Sequence, residues 1–172
     1  MNNFQTYYIP GYPGSNSNTA KSLAVSNPSI VILEYDPEHP DAGIDSMLEK
    51  INSIDAHPII IASSLGGWYA EQLAKRVPCD LILWNPSLQP QLNKYGIKTQ
   101  YDPVISVTNS CPRTIFLGAE DDVVNPEIAA SIYEGEARVE MLHCIAHRMT
   151  EAGLQLILKS IGAHQCFPSN NI

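Results

Sequence analysis

Long hydrophobic runs are missing from this 172-residue chain, and no stretch approaches the roughly 18 apolar residues needed to span a bilayer. The first residues, Met1-Asn2-Asn3-Phe4-Gln5-Thr6, carry neither a basic region nor an apolar core, so no secretory signal is legible. Positive charge is also scarce. Ten Lys and Arg stand against eighteen Asp and Glu, a net charge of −8, and both nucleic acid and anionic membranes require clustered cations. The four cysteines (Cys79, Cys111, Cys144, Cys166) form no C-x-x-C pair, and reduced thiols are a simpler reading than a disulfide framework. These absences point to a cytoplasmic protein without nucleic-acid or membrane partners. No repeat or low-complexity tract interrupts the chain, and its length is that of a single domain, residues 1–172.

What is present is alternation. Short apolar, β-branched runs at Gln5–Ile9, Ile30–Tyr35, Pro58–Ala62, Leu81–Trp84, Thr114–Leu117 and Arg138–Leu142 read as strands covered on both faces. Between them, helical patterns run over about Thr19–Ser26, Gly43–Ile54, Leu65–Val77, Pro126–Tyr133 and Thr150–Ile161. Leu65, Tyr69, Leu73 and Val77 recur every four residues, a stripe suited to packing on a sheet. Asp41, Asn125-Pro126 and Thr150 are expected helix starts and Gly162 a stop, with the tail fraying over residues 163–172. Strand–helix alternation predicts an α/β fold: a doubly wound, mostly parallel six-stranded sheet with helices on both faces. Pro86–Pro112 breaks the rhythm, rich in Pro, Asn, Gln and Lys, and is read as a small lid or substrate loop.

Ligands in such sheets bind at the carboxyl ends of the strands. Four strand ends carry suggestive residues. The first is followed by Pro10-Gly11-Tyr12-Pro13-Gly14-Ser15 and the third by Ser63-Ser64-Leu65-Gly66. The fifth leads into Gly118-Ala119-Glu120-Asp121-Asp122, and the sixth into His143 and His147. The third resembles the G-x-S-x-G elbow of serine hydrolases with Ala62 in place of the first glycine. A turn serine capping a helix is the bland alternative. The residues two before and two after an elbow nucleophile must be small. For Ser64 these are Ala62 and Gly66; for Ser63 they are the bulky Ile61 and Leu65, so Ser64 is favoured and Ser63 is the fallback. His147, beyond the small Ala146, is favoured as the base over His143, which still adjoins the strand. His39 and His57, each near a proline, read as structural or solvated.

The segments "YYIPGYPGSNSNTAKSL", "IIIASSLGGWYAEQLA", "LILWNPSLQP", "TIFLGAEDDVVNP" and "HCIAHRM" resemble the α/β-hydrolase superfamily, and within it the small bacterial YqiA/YcfP-like esterases. The resemblance implies a serine hydrolase acting on a small-molecule ester or thioester; no cofactor and no metal are expected. Its G-x-x-D-x-x-V pattern implies Asp121 as the carboxylate orienting the histidine, with Asp122 as the fallback and Glu120 a further competitor. The backbone N–H groups of Tyr12 and Leu65 are expected to form the oxyanion hole. The chain departs from the family in having Pro10-Gly11 where His-Gly is usual, a change expected to alter how the oxyanion loop is held.

Other readings are weaker. Gly14 to Ser22 could suggest a phosphate loop, but Ala20 stands where the glycine before Lys21 is required, and Gly14 lies six residues ahead instead of five. His143, Cys144 and His147 lack a second zinc-spaced ligand pair. The rival of a different class is a hydrolase-fold protein that has lost turnover and serves as a binding module.

Overall fold

The structure, a computed structural model, describes residues 3–14, 17–89, 98–107 and 111–166. Its centre is a six-stranded, all-parallel sheet in the order β2-β1-β3-β4-β5-β6. The strands are β1 (Phe4–Ile9), β2 (Val31–Ile32), β3 (His57–Ser63), β4 (Asp80–Trp84), β5 (Arg113–Gly118) and β6 (Arg138–Leu142). The helices are α1 (Asn18–Ser26), α2 (Pro40–Asn52), α3 (Leu65–Ala74), α4 (Pro126–Ile132) and α5 (Glu151–Cys166). The doubly wound expectation therefore holds, and no helix among the described residues is long and apolar enough to cross a membrane.

Period-two alternation divides the core between the two sheet faces. Ile59 and Ile61 of β3 join Tyr8, Ile82, Trp84 and Phe116 beneath α1 and α5. Ile60 and Ala62 face the other way, joining Tyr7, Leu81, Leu83 and Ile115 beneath α2, α3 and α4. Helix α3 is buried along its whole length from Gly66 to Ala74, not merely on the stripe that its leucines mark. Trp68 and Gln72 donate from it to Asp102 O at 3.0 and 2.8 Å, so the described part of the β4–β5 connection covers its outer side.

Several element boundaries differ from expectation for identifiable reasons. β2 is two residues long, not the run Ile30–Tyr35, because it is an edge strand and its chain turns away. Leu33 N–H still reaches Tyr8 O at 2.8 Å, but Tyr35 N–H bonds Gly14 O instead. α2 opens at Pro40, and Asp41 does not cap it; its carboxylate accepts from Thr99 Oγ1 and from Gln100 N–H at 3.1 Å. α3 ends at Ala74, three residues before Val77. Gly162 does not stop α5, which runs on to Cys166, so residues 163–166 are helical and not a frayed tail. A side chain at Gly162 would touch nothing within 4 Å, and His164 beyond it is anchored. Residues 167–172 of the expected tail, and 90–97 and 108–110 of the expected lid, lie outside the described residues. In the remainder of Pro86–Pro112 the described residues form neither strand nor helix. Asn125 caps α4 through Glu127 N–H at 2.9 Å, and Thr150 Oγ1 accepts from Gly153 N–H at 3.2 Å.

Two buried charge networks join the layers. On α3, Glu71 accepts from Arg113 Nε and Nη2 of β5, both at 2.9 Å, and from Tyr133 Oη after α4 at 2.8 Å. At the amino edge of the sheet, Asp80 joins His57 Nε2 at 2.9 Å and His164 Nδ1 of α5 at 2.8 Å. Thr114 Oγ1 meets the other nitrogen of His164 at 3.2 Å. Burial alone would push the Asp80 carboxyl upward. The hydrogen bonds from His164 and His57 outweigh it and leave that carboxyl below the ordinary carboxylate range.

Removing one member of the Glu71–Arg113 pair strands the other charge in the core. Arg113→Met is expected to lower unfolding free energy by about 3–5 kcal/mol in urea titrations, and Glu71→Leu/Arg113→Met to recover most of the loss. Because the folded-state pKa of Asp80 lies below its unfolded value, its contribution is complete above about pH 4 and is lost as pH falls through the folded value. Asp80→Asn is therefore expected to flatten the acid side of the stability–pH curve, as measured by thermal unfolding between roughly pH 2 and 6.

Candidate active site

The chain reverses its direction of travel across the sheet between β1 and β3, the position where open α/β sheets leave a crevice at their carboxyl edge. β3 ends there in a sharp turn. Ser64 has φ 50° and ψ −124°, a conformation costing a non-glycine residue on the order of 1–3 kcal/mol. The turn is held on three sides. Ser64 N–H donates to Trp84 O at 3.0 Å, while its carbonyl accepts from Gly67 N–H at 2.9 Å and Ser87 N–H at 2.8 Å. Gly66 is required because a Cβ there would stand 2.5 Å from Ile9 O and 2.6 Å from Pro10 O. Ala62 is buried between β1 and β4 and pairs in register with Ile9 and Leu83, so its methyl group is accommodated.

Ser63 and Ser64 diverge. Ser63 Oγ hydrogen-bonds Tyr8 Oη at 2.8 Å, on the α1 side of the sheet. Ser64 Oγ lies 3.0 Å from His147 Nε2. His147 Nδ1 in turn lies 2.8 Å from Asp121 Oδ2. The other oxygen of Asp121 accepts from Val123 and Val124 N–H, both at 2.8 Å, and the carboxylate is 1% exposed. The tight turn explains the spacing after Gly118: Asp121 N–H returns to Gly118 O at 3.2 Å. Glu120 and Asp122 point to solvent, and His143 is exposed, away from this line of contacts. Of the residues singled out from sequence, the structure thus brings Ser64, His147 and Asp121 together and leaves Ser63, His143 and Asp122 apart. His39 is exposed and pairs with Asp36 at 2.9 Å, while His57 belongs to the Asp80 network at the opposite edge. Among the described residues no group of three His, Cys, Asp or Glu side chains is arranged to hold a metal ion.

The loop after β1 lies directly against the turn, since a Cβ on Gly11 would come 3.0 Å from Ser64 Cβ. Tyr35 holds both ends of it. Its hydroxyl donates to Pro10 O at 3.0 Å and its N–H to Gly14 O at 3.0 Å, while Gly14 N–H returns to Gly11 O at 2.8 Å. Its ring stacks on Tyr69 with centroids 4.0 Å apart. Within this loop Tyr12 carries its side chain out to solvent, 75% exposed. Leu65 opens α3, where the first N–H groups of a helix have no intrahelical acceptor. Ser15 of this loop lies outside the described residues.

Besides Tyr35, a second residue around the site escaped sequence reasoning. Asn85, fully buried with φ 42°, follows β4 and staples the neighbouring loops. Its Nδ2 donates to Ala146 O and His147 O, both at 3.1 Å, and its Oδ1 accepts from Gly118 N–H at 2.6 Å. The β6 loop is so close that a Cβ on Gly118 would stand 2.4 Å from Ile145 O. A signal was available in the Asn85-Pro86 pair ending an apolar strand, since asparagine is the non-glycine residue most tolerant of positive φ. Beside Asp121 a shallow surface depression of about 450 Å³ is lined by Ala119, Asp122, Val123 and Glu127.

This fold is that of the α/β-hydrolases, as solved structures bear out. The chain superposes on mouse alpha/beta hydrolase domain-containing protein 10 with a TM-score of 0.67, at 16% identity over 95% of this chain and 90% of that one. An alpha/beta hydrolase enzyme from a Moroccan lagoon-sediment metagenome matches with TM-score 0.69, 14% identity, and coverage of 97% and 91%. A Paleococcus ferrophilus monoacylglycerol lipase matches with TM-score 0.63, 12% identity, and coverage of 95% of each chain. Within that class the chain belongs to UPF0227, described as an uncharacterised protein family, whose model matches residues 14–103. A UPF0227 protein of Shewanella woodyi is 27% identical over 113 residues, and UPF0227 protein YcfP of Escherichia coli is 22% identical over 113 residues. Those matches cover 60% of this chain and just over three fifths of each relative, 63% and 62% respectively.

Asn85→Ala would leave a buried N–H and two carbonyls without their partner. It is expected to lower unfolding free energy by about 1–3 kcal/mol. The same variant should raise amide exchange in residues 143–149 more than in β3, as read by hydrogen-exchange mass spectrometry.

Proposed function

We propose that this protein is a serine hydrolase cleaving carboxylic esters or thioesters of small acyl substrates through an acyl-enzyme on Ser64. The observation carrying this reading is the unbroken line Ser64 Oγ, His147 Nε2, His147 Nδ1, Asp121 Oδ2, with contacts of 3.0 and 2.8 Å. A serine hydroxyl is a weak nucleophile until a base takes its proton, and His147 stands within reach to do so as Oγ attacks the acyl carbon. The Asp121 carboxylate holds the imidazole in the required orientation and stabilises the imidazolium that forms. Negative charge developing on the carbonyl oxygen would be met by the N–H groups of Leu65 and Tyr12, with Tyr35 and Gly66 setting the spacing between their loops. His147 then returns the proton to the leaving alcohol or thiol. Water, deprotonated by the same imidazole, attacks the acyl-enzyme, releasing the acid and restoring Ser64.

The substitution of Pro10 for the usual histidine bears on this reading. The Pro10 carbonyl is the acceptor for Tyr35 Oη, so in this chain a tyrosine from β2's exit anchors the loop.

Incubation with a fluorophosphonate probe followed by peptide mapping tests the assignment. Labelling is expected at Ser64 in the wild type and nowhere in the folded Ser64→Ala variant. Turnover of a short-chain p-nitrophenyl ester should fall on the order of 10⁶-fold in that variant. Label at Ser63 would overturn the choice of nucleophile. A folded wild-type protein that takes no label would instead be a silent binding module.

A further inference from the structure

At the amino edge of the sheet, β4 and β5 are entered through two cysteines. The strands pair with Leu81 opposite Arg113, and Leu81 N–H donates to Pro112 O at 2.9 Å. Two residues before Leu81 and Arg113, just ahead of the strands, stand Cys79 and Cys111, side by side. Residues two apart in a strand point to the same face, and neighbouring strands lie about 4.8 Å apart. That spacing falls inside the Cα separation of about 4.4–6.8 Å that a disulfide spans. The two sulfurs are 4.0 Å apart, and the Cys111 thiol donates to Cys79 O at 2.9 Å. The pair is asymmetric: Cys79 is 3% exposed, whereas Cys111 is partly open to solvent.

We propose that Cys79 and Cys111 form an oxidisable dithiol that closes to an intramolecular disulfide in the folded protein when it meets a small-molecule disulfide such as oxidised glutathione. Cys111, the accessible member, attacks one sulfur of the oxidant as its thiolate. This forms a mixed disulfide and expels one glutathione thiolate, which takes up a proton. Cys79 then loses its own proton and attacks the Cys111 sulfur, breaking the mixed disulfide and releasing the second glutathione. The protein dithiol has lost two electrons and two protons, and one oxidised glutathione has become two reduced molecules. The hydrogen bond to Cys111 and then burial push the Cys79 thiol well above its ordinary range, so Cys79 serves as the resolving partner and not the first attacker. Cys144, exposed in a turn with φ 59°, serves as the contrasting lone thiol.

The new bond would close the whole β4–β5 connection into a covalent loop at its base. That connection carries Ser87, whose N–H donates to the Ser64 carbonyl, and Asp102, which accepts from α3. Closing a loop this long restricts the unfolded chain, so the oxidised protein is expected to melt at a higher temperature than the reduced one.

The test uses the full chain with Cys144→Ser and Cys166→Ser, leaving only the pair. The folded protein is equilibrated with oxidised and reduced glutathione, alkylated, digested without reductant and mapped by mass spectrometry. The expected product is a Cys79–Cys111 linked peptide two hydrogens lighter than the dithiol, lost on adding dithiothreitol. In Cys79→Ser, Cys111 should instead retain its glutathione. A persistent glutathione adduct on Cys111 beside a free Cys79, a Cys111 that never reacts, or a link forming only in denaturant would overturn the proposal. The readout does not depend on the hydrolase reading, because fluorophosphonate labelling of Ser64 is scored separately.

Discussion

Ser64 sits in a backbone conformation that side chains other than glycine rarely adopt, and the carboxyl edge of the sheet is arranged to keep it there. The turn is bonded to β4 through Trp84 O, to the loop after it through Ser87 N–H, and to its own helix through Gly67 N–H. It works only because Gly66 lets α3 approach the carbonyls of Ile9 and Pro10, a contact any Cβ would block. The strain of a single residue is thus spread across three strands and one helix. Each of these strands also positions a part of the candidate site, so the geometry around Ser64 is as rigid as the sheet itself.

From that turn the remaining groups are placed by loops that bond one another. Asn85 follows the strand beside Ser64 and reaches the start of the Asp121 turn and the backbone of His147 together. Gly118 permits the two loops to touch. Tyr35 does the corresponding work for the loop after β1, and in doing so gives Pro10 a role through its carbonyl that its ring could not supply. A proline has no N–H to donate, so Pro10 itself can be held on its backbone only through its carbonyl oxygen.

The opposite edge of the sheet has a different character. There Asp80 gathers His57 and His164, tying the last turns of α5 to the entrances of β3 and β4, and Cys79 meets Cys111 nearby. On the α3 face, Glu71, Arg113 and Tyr133 form a closed group with each charge met. Buried ionic groups of this kind gain little over an apolar packing but are costly to break, which makes them markers of register more than sources of net stability.

Much of the fold was legible in the sequence because strands covered on both faces are written as unbroken apolar runs, and the helices between them carry their own spacing. Periodicity was least informative at boundaries set by distant contacts. β2 is cut short by Tyr35 turning to Gly14, and α5 outlasts Gly162 because Asp80 waits for His164. Of the candidate site, small flanking residues singled out Ser64, since an elbow constrains its immediate neighbours, and distance from the strand end favoured His147, whereas Asp121 was picked from three adjacent acids only by the family pattern. Asn85 was marked only by the Asn-Pro pair at its strand end, and Tyr35 and the pairing of Cys79 with Cys111 were invisible, although every one of those residues was in view. Local sequence by itself determined the succession of strands and helices and the residue types at each strand end, because those depend on hydrophobic pattern and steric size within a few positions. Tertiary structure alone decided which side chains meet, because parallel strands join residues tens of positions apart through a register that no local pattern encodes.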